Sequence, residues 1–150
     1  MAGRLIGFGY QGRTPDELVA EMVEAGASRL VDVRLNPVSR VRGFSKNRLR
    51  ERLEASGLVY EHRPELGNPK DNRAGYAEPE TLAAHRAHAR FRDSVLSTPS
   101  ADSALARLAD LVADGETVFL LCFERDQACC HRQQVIDAVD AVRLEAALPA

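Results

Sequence analysis

The chain alternates between short apolar runs and longer, more polar segments. The apolar runs lie at residues 4–10, 28–35, 58–66 and 116–123. Each run has the length of a β-strand, and the second is too apolar at Leu30, Val31 and Val33 to lie half-exposed. The pattern therefore predicts about four or more strands, buried at least in part on both faces of a sheet.

The segments between these runs carry the start and stop signals of helices. Thr14 is placed as an N-cap, Glu17 follows three residues later, and Gly26 is placed to end the helix. Ser45 is the expected N-cap of the next helix. The segment 144–150 carries no clear signal. Further helices are predicted at residues 79–97, 101–113 and 129–142.

Strands that alternate with helices predict an α/β domain with a mainly parallel sheet. No internal repeat or linker divides the chain, so residues 1–150 are expected to form a single domain. The connection at residues 67–79 is long and rich in Gly, Pro, Asn and Asp, which makes it a candidate functional loop.

Composition indicates an ordinary globular protein, with 45% hydrophobic and 28% charged residues. No apolar run approaches the ~20 residues that a membrane span needs, and the N-terminus lacks the pattern of a signal peptide. We therefore expect a cytoplasmic protein with reduced thiols and no membrane partner. The three cysteines all lie within residues 122–130, which is a poor disulfide framework.

The most reactive side chains follow the ends of the predicted strands. In an open parallel sheet, ligands bind beyond the carboxyl ends of the strands, where the connecting loops meet. We therefore expect these side chains to share one site. They are Tyr10 and Arg13, Asp32 and Arg34, then Glu65, Asn68 and Lys70, and finally Cys122, Glu124, His131 and Arg132.

A basic stretch between Arg34 and Arg52 holds seven cationic residues and only one acid, Glu51. Arg40 lies in the loop that forms the first part of this stretch. Such a patch could attract a phosphate-bearing ligand. It is more typical of a solvated helix face preceded by a basic loop.

Cys122 is the leading candidate for a reactive thiol. A cysteine at the end of an apolar run is often a small buried hydrophobe, but here a carboxylate, an imidazole and a guanidinium follow within ten residues. A helix N-terminus and an arginine lower the pKa of a nearby thiol. Cys130 competes for the role, and nothing distinguishes Cys129.

Zinc is the alternative interpretation of the same cluster. Cys122, Cys129, Cys130 and His131 are four ligands in number, but adjacent cysteines rarely point at one ion and the usual two-plus-two spacing is missing. We predict no metal and no other cofactor. His85 and His88 look like part of a polar helix face.

Arg34 follows buried residues at a strand end, so its charge needs a partner. Pairing with Asp32 or Glu65 and bidentate binding of an anionic ligand both remain open. Gly7 and Gly9 form only a weak dinucleotide-binding pattern, because the turn is lengthened.

Five segments in this order resemble one protein family. They are "IGFGYQGRTPDEL", "LVDVRLNPVSR", "GFSKNRL", "ELGNPKDNR" and "CFERDQACCHR". They resemble the domain of unknown function 488 family, in particular a branch with a Gly-Tyr-x-Gly-Arg start and a Leu-Gly-Asn-Pro-Lys-Asp-Asn-Arg loop. The resemblance implies a Rossmann-like three-layer α/β sandwich. Its closing motif falls on Cys122, Glu124, Cys130, His131 and Arg132.

Three functions follow from these observations. The first is an enzyme, a hydrolase or transferase, that acts on a phosphate-bearing nucleotide or nucleic acid. In it Arg13, Arg34 and Arg40 hold anionic groups, and Glu124 or Cys122 carries the chemistry. His131 and Arg132 would orient groups or stabilise charge.

The second function is thiol chemistry of the sulfurtransferase or phosphatase type at Cys122, although no glycine follows it to shape an anion-binding loop. The third is a non-enzymatic nucleotide or nucleic-acid binding module that uses residues 34–52. The oligomeric state is not predicted.

Overall fold

The computed structural model describes residues 3–149 and contains one four-stranded sheet, which is parallel throughout. The strand order is β1-β4-β2-β3. The strands are β1 (Arg4–Gly9), β2 (Arg29–Asp32), β3 (Val59–His62) and β4 (Thr117–Cys122). The prediction of an α/β fold with a parallel sheet of four or more strands is confirmed.

Helices cover both faces of this sheet, which makes three layers. The helices are α1 (Pro15–Glu24), α2 (Lys46–Glu54), α3 (Leu82–Arg90), α4 (Pro99–Ala113) and α5 (Arg132–Ala147). The chain moves one way across the sheet from β1 to β3 and then returns to β4. Right-handed crossovers therefore place α1 and α2 on one face and the later helices on the other.

The core consists of two clusters, one on each face, and neighbouring strand residues alternate between them. Leu30 and Phe119 pack with α1 and α2. Val31 and Leu120 pack with α4 and α5. This alternation follows from the two-residue period of a strand, and it explains why consecutive positions are apolar in both central strands, at Leu30 and Val31 in β2 and at residues 118–121 in β4.

The strand register brings the carboxyl ends of the strands to one level. Gly9 lies opposite Cys122, and Asp32 lies opposite both Leu121 and His62. The residues that follow each strand therefore emerge at the same edge of the sheet. This edge is where the sequence predicts the functional groups.

The N-terminus of α1 matches its prediction, whereas that of α2 differs in one respect. The Thr14 hydroxyl accepts a hydrogen bond from the Glu17 amide at 3.2 Å. Ser45 has the backbone position of an N-cap, but its side chain makes no capping bond. Its hydroxyl instead donates to the Ser39 carbonyl and accepts from the Ser39 amide. Ser45 thus holds the loop before α2 in place.

The later helices differ from prediction at their ends. The predicted helix at 79–97 begins only at Leu82 and passes into a π-helical turn at Phe91–Val95. The last helix begins three residues late, because Gln127–Cys129 forms a separate 3-10 turn. It also extends to Ala147, since Leu, Glu and Ala in the unassigned tail are strong helix formers.

Among residues 3–149, none of the helices combines the length and the apolar character that crossing a bilayer requires.

Candidate functional site

A cleft of about 220 Å³ opens at the carboxyl edge of the sheet. Its wall comes from the segments that follow β1, β2, β3 and β4, and from the start of the connection into α5. Six of the residues predicted from sequence line it. They are Tyr10, Arg34, Asn68, Cys122, Glu124 and His131.

The thiol of Cys122 lies between a carboxyl group and an imidazole. Cys122 ends β4, the strand that lies between β1 and β2, and its side chain is 8% exposed. Its Sγ lies 3.5 Å from Glu124 Oε2 and 3.8 Å from His131 Nδ1. The two-residue spacing of Cys122 and Glu124 explains why both face the same side.

His131 is buried and its ring orientation is set by a backbone carbonyl. Its Nε2 donates a hydrogen bond to the Val33 carbonyl at 2.9 Å, since a carbonyl can only accept. Nδ1 is therefore the nitrogen that faces the thiols. Burial lowers the pKa of His131, but the charge of Cys122 and its hydrogen bond outweigh this, so the pKa is raised.

A second thiol, that of Cys130, shares the same imidazole. Its Sγ lies 3.6 Å from His131 Nδ1. The hydrogen bond from Cys130 lowers the pKa of Cys122 well below its usual value, and the charges of His131 and Arg132 lower it further against the effect of burial. Burial and the neighbouring Cys122 raise the pKa of Cys130. The two thiols therefore titrate as a coupled pair, in which the pKa of Cys122 is lowered and that of Cys130 is raised.

Glu124 is a half-buried carboxyl group without a cation. Among the described residues, its side chain has one hydrogen-bond contact, with Cys122 Sγ, and forms no salt bridge. Burial raises the pKa of Glu124, and the charge of Cys122 raises it further. Such a group can hold a proton at a higher pH than an ordinary glutamate, which suits a general acid.

Arg34 forms an internal ion pair with Asp32, which decides between the alternatives that the sequence left open. Its Nε donates to Asp32 Oδ1 at 2.8 Å and its Nη2 to Asp32 Oδ2 at 2.7 Å. Nη1 donates to the Phe44 carbonyl and to the Tyr10 hydroxyl. The guanidinium therefore lies in the cleft wall, and its Nε, Nη1 and Nη2 all donate to other groups of the protein.

Six predicted residues do not lie in the cleft wall. They are Arg13, Asp32, Arg40, Glu65, Lys70 and Arg132. Arg13 pairs with Glu17 and Glu21 on α1 instead. Asp32 is fully buried behind Arg34, where it also accepts a hydrogen bond from the Tyr60 hydroxyl.

The other four are held away from the cleft for different reasons. Arg40 and Lys70 are exposed on loops. Glu65 lies 3.7 Å from Arg63. Arg132 is 1% exposed, and its Nε and Nη1 have no hydrogen-bond partner in the described part of the chain. It acts on the site through its charge, which lowers the pKa of Cys122.

The cleft wall also contains residues that sequence reasoning did not select. Arg73 supplies a guanidinium, and its Nε donates to the Asn68 carbonyl at 3.1 Å. The Tyr76 ring packs against the His88 ring at an interplanar angle of 49°, so His88 is half-buried rather than fully exposed. Arg73 is the last residue of the "ELGNPKDNR" segment. Its place in that segment could have identified it as a candidate site residue. The further lining residues are Leu35, Asn36, Val38, Phe123 and Cys129, together with Cys130, which the sequence offered as the competing thiol.

The glycine at position 9 allows the loop after β4 to pack against β1. A Cβ atom at this position would lie 1.8 Å from the Glu124 carbonyl oxygen. Any larger residue would push the Glu124 loop away. The weak glycine pattern in the first loop thus serves the close approach of two backbones.

Comparison with protein-family models gives a match to "Domain of unknown function DUF488" over residues 14–139. No curated protein and no solved structure gives a significant match. The matched segment contains β2, β3, β4 and all cleft residues except Tyr10. The chain belongs to the DUF488 family.

Proposed function

We propose that this chain is an enzyme, a hydrolase or transferase, that acts on a small phosphate-bearing nucleotide in the cleft. The observation that carries the proposal is Glu124, a half-buried carboxyl group with a raised pKa, which lies 3.5 Å from the thiol of Cys122 in the cleft wall. Structural carboxylates at such depth are normally paired with a cation, whereas functional ones often are not.

The composition of the wall supports a ligand with one flat apolar part and one anionic part. Three large hydrophobic residues in the wall are exposed to solvent, namely Leu35, Val38 and Phe123. Asn68 and Arg73 contribute polar groups to the same wall. A nucleobase would cover the apolar side chains, and a phosphate would accept hydrogen bonds from Arg73.

The size of the cleft favours a mononucleotide over a strand. The cleft of about 220 Å³ is smaller than the roughly 300–1,000 Å³ of pockets that enclose a drug-sized ligand, so it would hold one nucleotide in part and has no room for a second. The basic residues of α2 do not extend the cleft. Arg52 pairs with Asp16, and Arg50 lies over the Tyr60 ring.

Glu124 would act as the general acid–base group. A protonated carboxyl donates its proton to the oxygen or nitrogen of a leaving group while the bond to that atom breaks. After departure the carboxylate can accept a proton from the attacking water or hydroxyl. A bond between a sugar and a base suits this chemistry, since its cleavage needs a proton on the base.

The Arg73→Gln variant tests the proposed substrate class. We expect it to bind a nucleoside monophosphate about 10- to 100-fold more weakly, because a hydrogen bond to a charged group contributes about 1.5–3 kcal/mol. Arg73→Lys should restore part of the loss. Isothermal titration calorimetry with a panel of nucleoside monophosphates measures the effect.

Arg40→Gln is the matched control, since it removes a cation that lies outside the cleft wall. It should bind as the wild type does. Equal weakening by both variants would point to non-specific attraction and would remove the cleft as the nucleotide site. A steep fall of wild-type affinity with salt would support the binding-module hypothesis instead.

Thiol chemistry at Cys122 is the second candidate. It is favoured by the imidazole nitrogen of His131, which lies 3.8 Å from Cys122 Sγ, and by the low pKa of that thiol. Against it, Glu124 stands where a substrate anion would have to approach. The two candidates predict different residues as indispensable, Glu124 for the first and Cys122 for the second.

A further inference from the structure

We propose that Cys122, Cys130 and His131 bind one Zn²⁺ ion, with its fourth coordination position open to the cleft. The inference goes beyond the proposed function, which assigns no metal to the cleft. It can be tested without any substrate, because metal binding is measured on the chain alone. The three ligand atoms, two sulfurs and one ring nitrogen, all lie within 4.8 Å of one another.

The distances fit a tetrahedral ion. Zn–S bonds of about 2.3 Å and Zn–N bonds of about 2.0–2.1 Å separate a sulfur from a nitrogen by about 3.6 Å in a tetrahedron. The corresponding distances to His131 Nδ1 are 3.6 Å from Cys130 and 3.8 Å from Cys122. Two edges of the ligand triangle therefore match a tetrahedral ion to within a few tenths of an ångström, and the third edge, between the two sulfurs, is at most 4.8 Å.

The surroundings of His131 match those of a metal-binding imidazole. Histidine ligands usually donate their second ring N–H to a backbone carbonyl or a carboxylate, which fixes the ring and its tautomer. His131 Nε2 donates to the Val33 carbonyl at 2.9 Å. Nδ1 thus faces the two sulfurs, and its lone pair becomes available to a metal ion when the ring loses its second proton.

Two thiolates and an imidazole are soft and borderline ligands, which favours Zn²⁺ over Mg²⁺ or Ca²⁺. Both thiols lose their protons when the ion binds, so the complex of one dication, two thiolates and a neutral imidazole carries no net charge. A neutral cluster suits this position, since all three ligand residues are buried.

In the sequence, the adjacency of Cys129 and Cys130 is an objection to a zinc site, because neighbouring cysteines rarely point at one ion. The structure removes that objection. Cys129 lies in the 3-10 turn and its Sγ is 3.7 Å from the Ala77 carbonyl. It does not belong to the cluster. The ion would therefore need only Cys130 from the pair.

Three protein ligands leave one position free, as in catalytic zinc sites. Glu124 is not part of the ligand cluster, although its Oε2 lies 3.5 Å from Cys122 Sγ. All three ligand residues line the cleft. A water at the fourth position would thus face the cleft beside a carboxyl group, and the ion would lower the pKa of that water and so make it a nucleophile.

The experiment loads the full-length chain with Zn²⁺ or Co²⁺ alone, after reduction and removal of metals, and then dialyses it against metal-free buffer. We expect one Zn²⁺ per wild-type chain by elemental analysis. The Co²⁺ form should show the visible bands of tetrahedral cobalt with thiolate ligands. Cys130→Ser should weaken Zn²⁺ binding more than about 100-fold, beyond the cost of losing an outer-shell partner.

Cys129→Ser is the matched control and should retain both the stoichiometry and the cobalt spectrum. Circular dichroism of each variant confirms the fold. The proposal is overturned if the reduced wild-type chain retains no metal, or if its cobalt spectrum is that of six oxygen ligands. It is equally overturned if Cys130→Ser binds Zn²⁺ as tightly as the wild type. These results do not depend on nucleotide binding or turnover, so the proposed function is tested separately.

Discussion

The Asp32→Asn variant is expected to lose about 3–5 kcal/mol of unfolding free energy, because it leaves a buried guanidinium without its counter-charge. Asp32 accepts four hydrogen bonds, three of them from Arg34 and one from the Tyr60 hydroxyl. The amide of asparagine would turn a donor toward groups that are themselves donors. Burial and the charge of Asp32 raise the pKa of Tyr60, which keeps its hydroxyl protonated.

Chemical denaturation with urea measures this loss, and the melting temperature should fall by roughly 6–20 °C. The control is Asp16→Asn, which removes an exposed carboxylate that pairs with Arg52 at 2.9 Å and should change stability by at most about 1 kcal/mol. Adding Arg34→Met to Asp32→Asn should recover part of the stability. If Asp32→Asn and Asp16→Asn have equal effects, the buried pair is not the support of the cleft wall.

The Glu124→Gln variant is expected to lower turnover of the nucleotide substrate by about 10²- to 10⁴-fold, the usual contribution of a positioned acid or base. Glutamine keeps the shape but cannot exchange a proton. The fold should be spared, since Glu124 makes no salt bridge within residues 3–149 and its one hydrogen-bond contact is to Cys122. The melting temperature and product formation are measured on the same preparation.

Asp126→Asn is the matched control for this variant. Asp126 is exposed two residues further on, and its side chain accepts a hydrogen bond from the Ala128 amide, which asparagine can also do. Its turnover should equal that of the wild type. If Glu124→Gln retains full turnover while Cys122→Ser has none, the acid–base role is excluded and thiol chemistry takes its place.

The architecture could be predicted because the apolar runs, the helix-end signals and their alternation along the chain all indicate the same α/β fold. Short apolar runs define the strands, and the signals at Thr14 and Gly26 define a helix between two of them. The strand order could not be predicted, since nothing in the apolar runs states which neighbours pair. The misplaced ends of the later helices have local causes, the π-helical turn at Phe91–Val95 and the 3-10 turn at Gln127–Cys129.

The gathering of polar side chains at the carboxyl edge of the sheet could be predicted, but not the direction of every side chain. Cys122 and Glu124 were assigned correctly to one side because a strand has a fixed two-residue period. Lys70 and Arg73 lie in consecutive tight turns, where sequence distance does not indicate which cation faces the cleft. The position of Arg13 outside the cleft could have been predicted, since its four-residue spacing from Glu17 favours an ion pair on the helix surface.

A crystal structure of the chain soaked with a nucleoside monophosphate tests most directly whether the cleft is one functional site. We expect the phosphate within hydrogen-bond distance of Arg73 and the base against Phe123, with the reacting part beside Glu124. A nucleotide bound instead along α2, against Arg48 or Arg52, would contradict it.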